Sequence, residues 1–83
     1  MDVEITPDAL DAFRALPGVI QMRVKKVLDR LRRWPAVSGA KALSGDLAGY
    51  FRIRTGDYRI RFRLDKNRII VDKIGHRKDF YED

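Results

Sequence analysis

The most informative absences in this sequence concern metal ligands and nucleophiles. The chain has no cysteine and a single histidine, and its acidic residues are scattered. A disulfide framework and a thiolate metal site are therefore excluded, and no serine has an obvious basic companion for nucleophilic catalysis. No glycine-rich phosphate loop precedes a helix. We expect neither a metal nor a small-molecule cofactor.

Long apolar runs are also missing. No segment is long and apolar enough to span a membrane, and the N-terminus alternates polar and apolar residues where a secretion signal would carry an apolar run. The sequence therefore predicts a cytoplasmic protein with no membrane partner.

What the chain does have is positive charge. It carries a net charge of +6 over 83 residues, of which 45% are hydrophobic. Length and composition predict one small folded domain spanning residues 1–83, marginally stable on its own. A basic surplus favours nucleic acid, an anionic membrane surface or an acidic protein as partner. A membrane-binding protein would carry its cations on an amphipathic helix, whereas the strongest cluster here lies on predicted strands.

Residues 49–63 predict a β-hairpin with Gly56 and Asp57 at its tip, because glycine supplies the positive φ of a II′ turn. The register then runs outward from Thr55 paired with Tyr58. Side chains alternate along a strand, so the hairpin has two faces. The apolar face comprises Phe51, Ile53, Thr55, Tyr58, Ile60 and Phe62. The Arg face comprises Tyr50, Arg52, Arg54, Arg59, Arg61 and Arg63.

The Arg face has two interpretations. Its register places Arg54 opposite Arg59 and Arg52 opposite Arg61, and like charges directly opposite each other destabilise a sheet. One interpretation is a solvated face whose long side chains spread their charge. The other is a platform for a polyanion, since the planar guanidinium matches phosphate oxygens and stays charged.

The preceding chain predicts a strand and two helices. Residues 2–5 alternate as a strand, and Thr6 to Asp8 is a helix start with a capping threonine and a proline at the first turn. The first helix is predicted to end near Leu16, and the second to cover residues 19–34. Both are expected to form an antiparallel helical hairpin on one face of the sheet. Cations on the outward faces of the second helix read as solvated, or else as support near RNA: Arg23, Lys25, Lys26, Arg30, Arg32 and Arg33.

A connector over residues 37–49 leads into the hairpin, and a turn at Lys66-Asn67 leads out of it. The pairs expected from that turn are Leu64 with Ile69, Phe62 with Val71, Ile60 with Lys73, Arg61 with Asp72, and Arg59 with Ile74. Asp72 would then be a carboxylate partner for Arg61, which favours a structural role for that arginine. The residues expected to converge at one end of the Arg face are Arg52, Arg54, Arg59, His76, Arg77 and Tyr81.

Such a cluster suits the binding and straining of an RNA backbone. RNA carries its own nucleophile, the 2′-hydroxyl, and a protein can cleave it by aligning that oxygen and stabilising charge on the phosphate. An aromatic ring can stack on a base. Arginine is a poor general base, so activity on free RNA should be feeble unless something else orders the substrate.

Four blocks of sequence carry a resemblance to a known family. They are Lys41 to Leu43, Tyr50-Phe51-Arg52-Ile53-Arg54, Gly56-Asp57-Tyr58-Arg59, and Gly75-His76-Arg77 followed by Tyr81. In this order and spacing the chain resembles the RelE/ParE superfamily, the toxins of bacterial and archaeal type II toxin–antitoxin pairs. The resemblance implies an α+β, microbial-RNase-like fold with an N-terminal strand and two helices on a small, mainly antiparallel sheet. It implies a RelE-type endoribonuclease that cuts mRNA in the ribosomal A site, with the ribosome ordering the substrate.

The resemblance also implies roles for individual residues. Arg52 and Arg54 stand where relatives have basic residues, often lysine, on the same strand, and one of those takes part in proton transfer. Arg59 matches a phosphate-binding arginine, Arg77 an arginine that protonates the leaving oxygen or stabilises charge, and Tyr81 a tyrosine that orients the nucleotide. These five are the catalytic candidates. The RNA-binding candidates are Lys41, Arg61, Arg63, His76 and Lys78.

Two alternatives remain open on sequence grounds. A ParE-like toxin would inhibit DNA gyrase by binding, without nuclease chemistry, on the same fold. A degenerate toxin would only bind its antitoxin or RNA. In each case the family implies a cognate antitoxin as partner, and a basic, marginal domain invites an acidic, partly disordered segment that orders on binding.

Overall fold

A computed structural model describes residues 1–80, and the chain forms two helices and one five-stranded sheet. The elements are β1 (Asp2–Ile5), α1 (Pro7–Arg14), α2 (Gly18–Leu31), β2 (Lys41–Ala42), β3 (Tyr50–Thr55), β4 (Tyr58–Asp65) and β5 (Arg68–His76). Single 3₁₀ turns cover Gly45–Leu47 and Arg77–Asp79. The strand order is β1-β5-β4-β3-β2, antiparallel except for β1 beside β5. The predicted α+β class is confirmed.

The start of α1 is confirmed, and both helices end earlier than the sequence predicts. Thr6 Oγ1 accepts a hydrogen bond from the Ala9 N–H, and Pro7 opens the first turn. α1 ends at Arg14 because Leu16 N–H bonds back to Phe13 O, which tightens the last turn. The same tightening continues beyond the end of α2, as far as the bond from Trp34 N–H to Leu31 O.

The β3–β4 hairpin has the predicted register at every pair from Thr55–Tyr58 to Tyr50–Arg63. Gly56 has φ +61°, which suits the first central position of a II′ turn. The separation into an apolar face and an Arg face therefore holds along the whole hairpin.

The β4–β5 register is right near the turn and wrong beyond it. Leu64 faces Ile69 and Phe62 faces Val71, as predicted. A β-bulge then intervenes, and the pairs beyond it are Ile60 with Ile74, Arg61 with Lys73, and Arg59 with Gly75. The predicted pairs Ile60–Lys73, Arg61–Asp72 and Arg59–Ile74 are wrong. The physical reason is burial: the extra residue, Asp72, turns Ile74 into the core at 4% exposure, where an unshifted strand would have placed Lys73.

Two edge strands complete the sheet. β1 runs parallel to β5, with Val3 beside Ile69 and Ile5 beside Val71. Residues expected to lie in a connector form the two-residue β2, and Lys41 pairs with Arg52.

One core joins both helices to the apolar face. Its buried members are Ala9, Val24, Val27, Leu31, Ile53, Ile60, Phe62, Ile69, Val71 and Ile74. Trp34 meets Phe51 and Phe62 edge-on at centroid distances of 4.9 and 5.4 Å, which pins the end of the helical layer to the hairpin. Within the described chain, neither helix has the length and apolarity needed to cross a bilayer.

Candidate nucleic-acid interface

The Arg face lies on the side of the hairpin opposite the helices, and burial varies along it. Arg52 is only 8% exposed, and its Nε is shielded from solvent. Arg59, Arg61 and Arg63 are half-buried, while Arg54 is exposed. Since burying a guanidinium costs free energy, a merely solvated surface does not describe Arg52. The arginines of this face instead differ in how deeply their side chains are buried.

Arg61 has the carboxylate partner that the sequence predicted. Its Nε and Nη2 donate to the two oxygens of Asp72 at 3.0 and 2.8 Å, a bidentate pair. The guanidinium also lies 5.4 Å from the centre of the Tyr50 ring. Asp72 is the extra residue of the bulge and is not paired with Arg61 in the strand ladder, yet its carboxylate still reaches the guanidinium. With its fork engaged by Asp72, Arg61 is better placed to anchor the face than to receive a phosphate.

The hairpin tip brings three catalytic candidates to one end of the sheet. Arg54 and Arg59 are cross-strand partners, and Arg59 also lies beside Gly75 on β5. The chain then leaves β5, and the Arg77 N–H donates to Asp57 O at 2.8 Å. The backbone of Arg77 is thus tied to the tip of the hairpin that carries the other two arginines.

His76 lies off the Arg face. It pairs with Tyr58, a residue of the apolar face, and the two rings meet edge-on at 5.3 Å. Its Nδ1 accepts from the Lys78 N–H at 3.1 Å and caps the 3₁₀ turn. These contacts give His76 a structural task at the base of the turn. Arg77 and Lys78, within that turn, are both exposed.

Sequence reasoning missed Phe80. This ring is 3% exposed, yet it is not a member of the core between the helices and the sheet. It lies against Gly75, and Lys73 Nζ sits 4.6 Å from its centre. The only sequence signal is an apolar residue within a charged tail. Tyr81, the remaining catalytic candidate, lies outside the described residues.

Other cations extend the positive surface around the tip. Lys41 joins the Arg face through its pairing with Arg52. On the helical side, Arg23 Nη1 lies 3.6 Å from where a Cβ on Gly56 would stand. Arg23, read from sequence as a solvated or supporting cation, therefore reaches the hairpin tip. Among residues 1–80, no cluster of three or more histidine, aspartate or glutamate side chains is arranged to hold a metal ion.

Comparison with known proteins identifies the family to which this chain belongs. The family model described as "ParE toxin of type II toxin-antitoxin system, parDE" matches residues 3–81. Toxin RelG of Mycobacterium tuberculosis is 32% identical over 73 residues, covering 86% of this chain and 83% of its own. Toxin RelE3 of Methanocaldococcus jannaschii is 30% identical over 73 residues, covering 84% and 83%. The chain belongs to the RelE/ParE superfamily of type II toxin–antitoxin toxins.

Solved structures agree in fold. The toxin–antitoxin complex RelBE2 from Mycobacterium tuberculosis contains a chain that superposes with a TM-score of 0.80 at 29% identity, covering 90% of this chain and 95% of that one. The isolated RelE toxin of E. coli superposes with a TM-score of 0.76 at 19% identity, covering 90% and 82%, and supports the fold alone.

Proposed function

We propose that this toxin is a ribosome-dependent endoribonuclease that cuts mRNA in the A site and so arrests translation in the cytoplasm. The observation that carries the proposal is the convergence of Arg54, Arg59 and the Arg77 turn at one end of the Arg face. Arginines grouped in this way suit a phosphate whose negative charge grows during reaction.

The proposed reaction uses the substrate's own nucleophile. The 2′-oxygen attacks the adjacent phosphorus, the bond from phosphorus to the 5′-oxygen breaks, the 2′-hydroxyl proton passes to water or rRNA of the ribosomal A site, and the leaving oxygen gains a proton. Arg59 binds the phosphate, and Arg77 stabilises or protonates the leaving oxygen. Arg52 and Arg54 contribute positive charge from β3, and Tyr81 orients the nucleotide. RNA flanking the cut contacts Lys41, Arg63 and Lys78.

We assign to the ribosome the proton transfer from the 2′-hydroxyl, a step that arginine performs poorly. Arg61 occupies both oxygens of Asp72, which removes that carboxylate as a general base. Arginines hold and polarise a phosphate but do not accept a proton. Acceptance of the 2′-hydroxyl proton is therefore assigned to water or rRNA in the A site. The ordered A site also aligns the 2′-oxygen, and alignment of this kind can supply a large share of a rate enhancement.

Gyrase inhibition by binding is the rival function, favoured by the match to a ParE toxin model. The two functions separate on the same variants. We expect growth arrest and loss of amino-acid incorporation on induction, both relieved by Arg59→Ala and by Arg77→Ala, with plasmid supercoiling unchanged. Arg14→Ala, an exposed arginine on α1, is the matched control and should stay toxic. Toxicity that survives both substitutions while supercoiling fails would replace the nuclease with the gyrase inhibitor.

A cognate antitoxin is the proposed protein partner. The relative in the RelBE2 structure is bound to its antitoxin. This chain offers a net charge of +6 and exposed apolar residues on α2, with Val19 and Met22 at 65% and 64% exposure. An acidic segment with apolar anchors matches both features. The expected result is a stable complex on co-expression with the neighbouring gene product; a chain that is harmless when expressed alone would count against it.

A further inference from the structure

The end of the described chain folds back onto the Arg face. Gly75 is paired with Arg59, so a side chain on Gly75 would project to the same side of the sheet as that arginine. A Cβ built there would lie 3.6 Å from a ring carbon of Phe80 and 3.3 Å from Asp79 Oδ2. The ring of Phe80 therefore occupies a notch on the Arg face that exists because β5 has no side chain at this position.

Lys73 closes the notch from one side. It faces Arg61 across the strands, its Nζ lies 4.6 Å from the centre of the Phe80 ring, and it also donates to the Asp79 carbonyl oxygen. One lysine thus contacts both the ring and the turn that precedes it. With the ring 3% exposed, Phe80 anchors the last described segment of the chain.

The anchored segment is the turn that carries Arg77. Phe80 N–H donates to Arg77 O at 3.1 Å, and His76 Nδ1 caps the same turn through Lys78 N–H. Arg77 N–H bonds to Asp57 O at the hairpin tip. The turn is a single 3₁₀ turn of three residues, too short to be stable by itself, so its placement depends on these anchors.

We propose that Phe80 is a positioning residue: seated in the Gly75 notch, it fixes the Arg77 turn against the Arg face so that Arg77 and Arg59 act on one phosphate. The reaction itself rests on the function proposed above, whereas the anchoring is a property of the chain alone. A misplacement of about 1 Å near a reacting group can cost on the order of a hundredfold in rate.

Two substitutions test the notch, one by removing the ring that occupies it and the other by filling it with a different side chain. Phe80→Ala removes the ring. Gly75→Val fills the notch with a side chain that suits a strand, since Gly75 lacks the positive φ that valine resists. Phe80→Leu keeps an apolar anchor and serves as the conservative rescue. Leu64→Ala, at a side chain 40% exposed near the opposite end of β4, is the matched control.

The first readout is amide hydrogen exchange, which does not depend on catalysis. In Phe80→Ala and Gly75→Val, the amides of Arg77, Lys78 and Phe80 should exchange at least about tenfold faster, while those of Ile53 and Ile60 stay protected. Unchanged exchange of the turn amides in both variants would overturn the anchoring.

The second readout is cleavage of mRNA on programmed ribosomes. Both variants should lose about tenfold to a hundredfold in kcat with KM little changed, Phe80→Leu should recover most of the loss, and Leu64→Ala should match the parent protein. A released turn with undiminished kcat would overturn the positioning role. If the parent protein itself fails to cleave, the nuclease proposal and the positioning role of Phe80 in that reaction fall together, and the exchange data decide the anchoring separately.

Discussion

The two faces of the β3–β4 hairpin are formed by alternate residues of one segment. One face packs in the core and the other carries the arginines. On the apolar face, Ile53, Ile60 and Phe62 are at most 1% exposed and pack under both helices. On the Arg face, exposure rises from the buried Arg52 to the open Arg54. Strand alternation lets the same residues that complete the core hold the arginines in place. The positions of the arginines on the Arg face are therefore fixed by side-chain packing on the apolar face.

The bulge at Asp72 changes which residues of β5 lie on the apolar face and which lie on the Arg face. It turns Ile74 toward the core and places Lys73 opposite Arg61, where an unshifted strand would have placed Asp72. From its position in the bulge Asp72 still forms an ion pair with Arg61, which offsets one of the facing positive charges. A single extra residue thus corrects the burial pattern of β5 while the ion pair on the Arg face is retained.

Breaking the apolar face should have the largest effect. Phe62→Ala removes a ring that is 0% exposed and stacks with Phe51 at 5.5 Å. We expect a loss of about 3–5 kcal/mol in the free energy of unfolding, from lost burial and a residual cavity. That is a large share of the stability of a domain this small. Urea unfolding measures it, with Leu64→Ala as control; a loss below about 1 kcal/mol would show that the aromatic cluster is not central to the core.

Breaking the Arg61–Asp72 pair should have an intermediate effect. Asp72→Ala leaves a guanidinium whose side chain is 17% exposed without its bidentate carboxylate. The expected cost is about 1–3 kcal/mol of unfolding free energy, because a largely buried charged donor loses its acceptor. The double variant Arg61→Met with Asp72→Ala should recover part of that cost. Purely additive single and double variants would mean that the pair contributes nothing beyond its separate side chains.

Changing an exposed cation of the Arg face should affect stability least and binding selectively. Arg54→Gln is expected to alter the free energy of unfolding by no more than about 0.5 kcal/mol. If Arg54 contacts a phosphate, the slope of log affinity for single-stranded RNA against log salt should fall by about 1. Anisotropy titrations at several salt concentrations measure this slope, with Arg14→Gln as the matched control. Equal slopes for the two variants would remove Arg54 from the interface.

The hairpin could be read from sequence because its register is set locally. Gly56 fixes the turn, and the alternating pattern on both strands permits only one arrangement with a dry face. The next register failed past Val71 because a turn specifies only the pairs near it. In the unshifted register Lys73 would have faced the core, and this buried charge was the sign of a bulge available from the sequence.

The rest depended on contacts between distant parts of the chain. The parallel pairing of β1 with β5 and the short β2 carry no turn signal of their own. Helix ends were overestimated because the apolar pattern continues into turns whose hydrogen bonds have already tightened; at the end of α1, Gln21 Nε2 donates to three carbonyls, those of Phe13, Arg14 and Leu16. Phe80 was overlooked because its burial is made by Gly75 and Lys73 on another element, not by any periodicity in the tail.

The most direct test of the division between the faces measures cleavage and stability on the same samples. Protein is added to programmed ribosomes with an empty A site, with naked mRNA in parallel, and the ends are mapped by primer extension. We expect cleavage only on the ribosome, a loss of about 10²–10³-fold in Arg59→Ala, and a thermal midpoint close to that of the parent protein. An Arg59→Ala variant that remains folded and cleaves at the parent rate would contradict the assignment of chemistry to the Arg face.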